Sequence, residues 1–120
     1  MGIGITWNEI IKELLESSRN ITEIETNGTT SLFIKEDGQR KELRLAFKDK
    51  ADYLEKTRAL AFLIDEKKET SNLDDYVYPE FLVEGKLELI EDQTARVHIV
   101  LPPACDTPQV TIAKKSKALG

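Results

Sequence analysis

The side chains with the most reactive chemistry in this chain of 120 residues lie in its last quarter. His98, the only histidine, has no cysteine or second histidine at the spacing of metal ligands, so we expect a structural role and no metal site. Cys105, the only cysteine, has no partner with which to form a nucleophilic dyad. A glycine-rich phosphate loop of the form G-x-x-x-x-G-K-S/T is also missing from the sequence. We therefore expect no catalytic residues, and no hydrolysis of nucleotide by this chain alone.

Composition narrows the class of protein further. A length of 120 residues is typical of a single domain, which we place at 1–120. The 17 basic and 22 acidic residues give a formal net charge of −5, which argues against binding to nucleic acid. A single cysteine favours a reducing compartment, and no apolar run approaches the roughly 20 residues of a membrane span. Since the chain starts without the pattern of a signal peptide, we expect a cytoplasmic protein.

The chain must position Arg96 and His98 on a strand. In the run Arg96–Leu101, alternate residues are apolar, and Pro102 and Pro103 end the run because neither can donate a ladder hydrogen bond. The run Gln109–Ile112 can return beside it. We predict that these two strands form the centre of the fold, with one apolar face made by Val97, Ile99 and Leu101.

The first half of the sequence predicts a helix followed by a three-stranded meander. Thr6 and Glu9 have the spacing of a capping box, and the apolar residues that follow recur at helical intervals, which predicts a helix from Trp7 to about Ser18. Three alternating runs follow, separated by turn pairs. The strands begin near Ile21, near Leu32 and at Leu43, the third reaching Phe47, and the turns are Asn27-Gly28 and Asp37-Gly38.

The second half predicts another helix and further strands. Asp49 can cap a helix that lasts until about Asp65, with Ala51, Leu54, Ala59, Phe62 and Leu63 near one face. The polar stretch from 66 to 75 reads as an exposed connection, and short strands are predicted on either side of Gly85. This order of elements predicts an α+β fold with a mostly antiparallel sheet of about six strands and two main helices packed mainly on one face.

Two parts of the sequence resemble one known family. The first is Ile21–Gly28 followed by Leu32–Gly38, two strands that end in an Asn-Gly and an acidic-Gly pair. The second is Arg96–Ala104, Arg-Val-His-Ile-Val-Leu-Pro-Pro-Ala, with Val110–Ile112. They are similar to the segments that open and close the N-terminal domain of secretion ATPases, the hexameric motors of type II and type IV secretion, conjugation and type IV pili. The resemblance extends over about Glu13 to Lys115.

The resemblance implies a role beside nucleotide. It implies that a motor domain with the Walker loop and catalytic glutamate follows this chain, that ATP and Mg bind at the junction of the two domains, and that Arg96 reaches the phosphates. Implied partners are the chain's own C-terminal ATPase domain, neighbouring subunits and inner-membrane secretion components, at the inner face of the membrane. No cofactor is expected in this chain, and no nucleic acid is expected as a partner.

The sequence departs from the family pattern at two places. Ala113 stands where the family closes with an arginine in Thr-Ile-Arg-Lys, so either Lys114 or Lys115 replaces that second phosphate contact or the position is unused. Gln93-Thr94-Ala95 replaces the usual Asp-Gly-Ser before Arg96.

Two alternatives stay open. Arg96 could pair with Glu91 or Asp92 on the surface. The chain could also be a standalone protein-interaction module, in which the polar connection and an aromatic cluster of Tyr76, Tyr78 and Phe81 dock a membrane-bound partner, unless those aromatic residues belong to the core.

Overall fold

The fold is one antiparallel sheet with two helices. The computed structural model describes residues 6–16, 20–27, 31–44, 47–79, 81–101 and 107–115. Its strands lie side by side in the order β3-β2-β1-β6-β5-β4, and every pairing between neighbours is antiparallel. The strands are β1 Ile21–Asn27, β2 Ser31–Glu36, β3 Gln39–Arg44, β4 Leu82–Glu88, β5 Thr94–Val100 and β6 Gln109–Lys115. The α+β prediction with six strands is confirmed.

Both helices begin at the caps that the sequence predicts. Helix α1 spans Trp7–Leu15, and the side chains of Thr6 and Glu9 form the predicted capping box. Helix α2 spans Lys50–Ile64, and the Asp49 side chain accepts a hydrogen bond from the Asp52 backbone N–H. None of the helices in the described ranges is long and apolar enough to cross a bilayer.

The two helices meet through a buried polar contact. The indole Nε1 of Trp7 donates a hydrogen bond of 3.1 Å to Oγ1 of Thr57 on α2, and both residues are almost fully buried. Because a buried indole N–H needs an acceptor, this bond fixes how α1 lies against α2. The rings of Phe47 and Tyr53 continue the contact, with centroids of Trp7 and Phe47 5.4 Å apart.

The sheet has one covered and one open face. Along β5, Ala95, Val97 and Ile99 are fully buried, whereas Arg96 is exposed and His98 is half-buried. Since the side-chain period of a strand is two, the register places Val97 and Ile112 on the covered face and Arg96 and Ala113 on the open face. The predicted apolar face of this strand is therefore correct.

Several details of the predicted elements are wrong. The third strand is Gln39–Arg44 rather than Leu43–Phe47: Phe47 is buried outside the strand, and residues 45 and 46 lie outside the described part. The strand Arg96–Leu101 is next to the edge, and the central pair is β1 with β6. Helix α2 buries a different set of residues from the predicted one, namely Tyr53, Thr57, Leu60, Ala61 and Ile64.

The region around Gly85 forms one strand instead of two. Strand β4 pairs with β5 without interruption from Leu82 to Glu88. A Cβ atom on Gly85 would lie 2.3 Å from the backbone oxygen of Ile64, so the glycine permits the end of α2 to approach the sheet. This glycine is a packing requirement and does not break the strand.

One of the two predicted turn pairs lies within the described residues. Asp37 and Gly38 form the predicted turn between β2 and β3, with positive φ values of 53° and 79°. Gly28 of the other turn pair lies outside the described residues, as do Ser18 of the predicted first helix, Pro102, Pro103 and Cys105.

Candidate functional site

A cleft of about 1000 Å³ lies along the free edge of the sheet. One wall is β4 from Leu82 to Lys86, and the other is the connection from Asp65 to Pro79 that follows α2. The cleft reaches the open face of the sheet, where Arg96 and His98 line it. It therefore brings the predicted arginine to a concave surface beside the free strand edge.

The connection that forms the outer wall is anchored to α2. The guanidinium of Arg58 donates hydrogen bonds to the backbone oxygens of Leu73 and Tyr76, at 2.5 and 2.7 Å. The Tyr76 hydroxyl donates to the carboxylate of Asp65 at 2.9 Å, and the Lys67 backbone N–H donates to the same carboxylate. Although the stretch is polar and largely exposed as predicted, these bonds give it a fixed path.

Two tyrosines on this wall have raised pKa values. Burial, followed by the hydrogen bond to Asp65, raises the pKa of Tyr76 well above its usual value. Burial also raises the pKa of Tyr78 to about 12. Both phenols therefore stay protonated near pH 7, and the phenol of Tyr76 holds the wall in place through its bond to Asp65.

Arg96 is an exposed cation on the open face. In the sheet it lies opposite Lys86 of β4 on one side and Ala113 of β6 on the other. Within the described ranges, no ion pair joins Arg96 to Glu91 or Asp92. Its guanidinium is thus available to a ligand or to another domain.

Lys114 lies on the other face of the sheet. It is opposite Ala95, a buried residue, and its Nζ donates a hydrogen bond of 2.9 Å to the backbone oxygen of Leu15 at the end of α1. A cation is favourable there because the last carbonyls of a helix carry partial negative charge. The structure therefore does not bring Arg96 and Lys114 together.

Lys86 is a residue of the cleft that the sequence did not single out. It lies directly opposite Arg96 on the open face and is exposed. The alternation of residues 82–88 places Lys86 on the same strand face as Glu84. However, only the register between β4 and β5 reveals its neighbour, and no motif encodes that register.

The predicted aromatic cluster is divided between core and surface. Tyr76 is buried at 4% exposure and Tyr78 is partly buried, whereas Phe81 is 54% exposed. The apolar residues that face solvent near the cleft are Val77, Phe81 and Leu82. Phe81 also has a φ of 70°, an unfavourable value for a bulky residue.

The described residues form no cluster of side chains that could bind a metal ion. Across them, no group of three or more His, Cys, Asp or Glu residues lies close enough to hold an ion. His98 lies opposite Glu84 on one side and Thr111 on the other.

Two solved structures have a fold similar to that of this chain. No protein-family model and no curated protein matches this chain. The VirB11 ATPase of the Brucella suis type IV secretion system, solved with sulphate, matches 90% of the chain at 22% identity and a TM-score of 0.62. The pilus retraction motor PilT with bound ADP matches 94% at 18% identity and a TM-score of 0.58. The chain spans 30% of the length of each of these two proteins, so its fold corresponds to that of a part of each.

Proposed function

We propose that this chain is the N-terminal domain of a secretion ATPase, from the family that drives type II and type IV secretion, conjugation and type IV pili. The observation that carries the proposal is the fold match over nine-tenths of the chain to two motors of this kind. The sequence resemblance around Arg96–Leu101 agrees with it. In this proposal the motor domain that binds ATP and Mg lies in the rest of a longer protein, and this chain does not hydrolyse ATP alone.

The proposed contribution of this chain to nucleotide binding is Arg96. A guanidinium carries forked donors that match phosphate oxygens, and it stays charged at any working pH. Arg96 is exposed on the open face of the sheet, beside the cleft and without an ion pair to a described residue. These features let the side chain extend from the sheet toward nucleotide in a neighbouring domain.

Lys114 fits a phosphate contact less easily. Its ammonium group would first have to leave the Leu15 carbonyl, on the face of the sheet opposite Arg96. A phosphate role for Lys114 therefore requires α1 to lose a bond at its C-terminal end.

The proposed partners follow from the same assignment. They are the chain's own motor domain, the neighbouring subunits of a hexameric ring, and secretion components of the inner membrane. The protein would then work in the cytoplasm, at the inner face of that membrane.

The experiment is a substitution in the longer protein. Arg96→Ala should weaken ATP binding or turnover by about tenfold or more, because a hydrogen bond to a charged group contributes roughly 1.5 to 3 kcal/mol. Arg44→Ala is the matched control, since Arg44 is an exposed arginine at the end of β3, on the opposite edge of the sheet. Wild-type nucleotide affinity and turnover in Arg96→Ala would exclude the phosphate role.

A second candidate function is docking of an inner-membrane protein at the apolar end of the cleft. The exposure of Val77 at 82%, Phe81 at 54% and Leu82 at 41% favours it, because these side chains line or flank a free strand edge. In the longer protein, Val77→Asp should then abolish co-sedimentation with inner-membrane vesicles and leave ATP turnover unchanged. Unchanged co-sedimentation would exclude this candidate.

A further inference from the structure

Three strands place a row of three residues across the open face of the sheet. Arg96 on β5 lies opposite Ala113 on β6, and it also lies opposite Lys86 on β4. Neighbours of this kind have Cβ atoms about 5 Å apart, so two long cationic side chains project from adjacent positions. Both are exposed, and both line the cleft.

The described carboxylates form no ion pair with these two cations. Glu84 and Glu88 flank Lys86 at two-residue spacing on β4, yet neither forms an ion pair with Lys86 or Arg96. Like charges directly opposite one another destabilise a sheet by tenths of a kcal/mol to about 1 kcal/mol. The Lys86–Arg96 pair therefore has an unfavourable interaction that a bound anion would reverse.

A second cation pair on the same face shows the contrast. Lys35 and Arg40 also lie opposite each other, on β2 and β3. Arg40, however, binds the Glu25 carboxylate at 2.7 Å and lies over the ring of Phe33 at 4.0 Å. That pair is compensated by neighbouring side chains, whereas no residue of the described ranges forms an ion pair with Lys86 or Arg96.

We infer that Lys86 is the second phosphate-contacting cation and acts beside Arg96. The inference rests on the proposed function and names the residue that fulfils the role predicted for Lys114. Ala113 leaves one side of Arg96 without a charge, and Lys86 supplies a charge on the other side. The expected ligand is the polyphosphate group of a nucleotide, whose adjacent oxygens can accept from a guanidinium and an ammonium at once.

The test compares single substitutions in the longer protein. Lys86→Ala should raise the dissociation constant for ATP about tenfold, whereas Lys114→Ala and the control Lys35→Ala should change it less than twofold. Lys86→Arg should restore most of the affinity. Because the two cations share one ligand, the effects of Lys86→Ala and Arg96→Ala should not be additive in the double variant.

A stability measurement separates a binding role from a structural one. Lys86→Gln should leave the melting temperature of the nucleotide-free protein unchanged or higher, since it removes the like charge opposite Arg96 and adds no third carboxylate beside Glu84 and Glu88. The same variant should lose ATP affinity about as strongly as Lys86→Ala. A structural role for Lys86 predicts the opposite, a lower melting temperature with unchanged affinity.

The outcomes also separate this inference from the proposed function. If Arg96→Ala weakens ATP binding and Lys86→Ala does not, the inference is wrong and the proposed function stands. If neither substitution changes ATP affinity, the inference and the proposed phosphate role of Arg96 both fail. If Lys114→Ala weakens binding and Lys86→Ala does not, Lys114 holds the role and the inference is overturned.

Discussion

The covered and open faces of the sheet differ although their residues alternate along the same strands. On the covered face, Val97 and Ile112 have no exposed surface, and their neighbours are other apolar side chains. On the open face, Arg96 is one residue from Val97 and Lys86 lies opposite Arg96, and both side chains face solvent. Because burial determines the cost of a substitution and exposure determines access to a ligand, we expect the two faces to respond oppositely to mutation.

The largest expected effect is that of a charge on the covered face. Val97→Asp should destabilise the chain by about 4 kcal/mol or more, because it buries an unpaired carboxylate. Arg96→Asp, the matched change one residue away, should cost about 1 kcal/mol or less since that side chain is exposed. Denaturant unfolding of both variants measures the difference, and equal losses would show that the faces are not distinct.

Gly85 gives the next largest effect. Gly85→Ala places a methyl group where the Ile64 backbone oxygen is 2.3 Å and the Ile64 Cβ 2.7 Å away, so α2 must move from β4. Overpacking of this kind typically costs 1 to 3 kcal/mol, and we expect about 3 kcal/mol because backbone atoms are involved. Glu84→Ala, at the exposed neighbouring position, is the control. A variant as stable as the control would mean that the helix end does not contact the strand.

Removal of the hydrogen bond between the two helices should destabilise the chain less than the change at Gly85. Thr57→Val removes the acceptor of the Trp7 indole N–H while keeping the shape of the side chain, so a buried donor loses its partner. Such a loss costs about 1 to 3 kcal/mol, and we expect about 2 kcal/mol by denaturant unfolding. Thr111→Val, on the open face, should be nearly neutral. Equal losses of stability in the two variants would show that the Trp7–Thr57 bond does not stabilise the packing of α1 against α2.

The tyrosines on the cleft wall predict a loss of stability at alkaline pH. An unfolded tyrosine loses its proton near pH 10, whereas burial raises the pKa of Tyr78 to about 12 in the folded chain. Above pH 10 the unfolded state therefore binds fewer protons than the folded state. The stability that the neutral Tyr78 side chain contributes is complete below pH 10 and is lost as the pH rises to 12. We expect the free energy of unfolding to fall by about 1 kcal/mol over this range, less than the full pKa shift implies, because solvent screens the partly exposed Tyr78 side chain.

Tyr78→Phe is the matched variant for the alkaline loss. It should reduce the difference in unfolding free energy between pH 9 and pH 12 relative to the wild type. An identical pH dependence would show that Tyr78 titrates at its ordinary pKa.

The smallest stability effect is expected at Arg96 itself. Arg96→Ala in this chain should change the free energy of unfolding by less than about 1 kcal/mol, as at a typical exposed position. Removing the like charge opposite Lys86 can even make the change favourable. A decrease of about 2 kcal/mol or more in the free energy of unfolding would show that Arg96 stabilises the fold.

The parts of the fold that could be predicted are those with local signals. Thr6 with Glu9, Asp49, and the Asp37-Gly38 pair specify helix starts and a turn through residues close in sequence, and the structure has each of them. The alternation in Arg96–Leu101 likewise identified the covered face of β5. Since such signals act over a few residues, they can be read without knowing the tertiary contacts.

The remaining parts depend on partners far away in the sequence. The buried face of α2 was missed because Tyr53 and Thr57 are polar in composition, yet Thr57 is buried by its bond to Trp7, fifty residues away. The interruption predicted at Gly85 was wrong because the glycine serves contact with Ile64. The neighbours of Arg96 follow from strand register, so the sequence alone could not place Lys86 opposite Arg96 or Lys114 on the other face.

The most direct test of the central claim is a structure of the longer protein with a non-hydrolysable ATP analogue. We expect that, in nucleotide-occupied subunits, a guanidinium nitrogen of Arg96 lies about 2.7 to 2.9 Å from a phosphate oxygen, the usual length of a charge-assisted hydrogen bond. Val97 on the covered face should stay buried in the same structure. Arg96 lying farther from the phosphates than one bridging water can span, in every occupied subunit, would contradict the account.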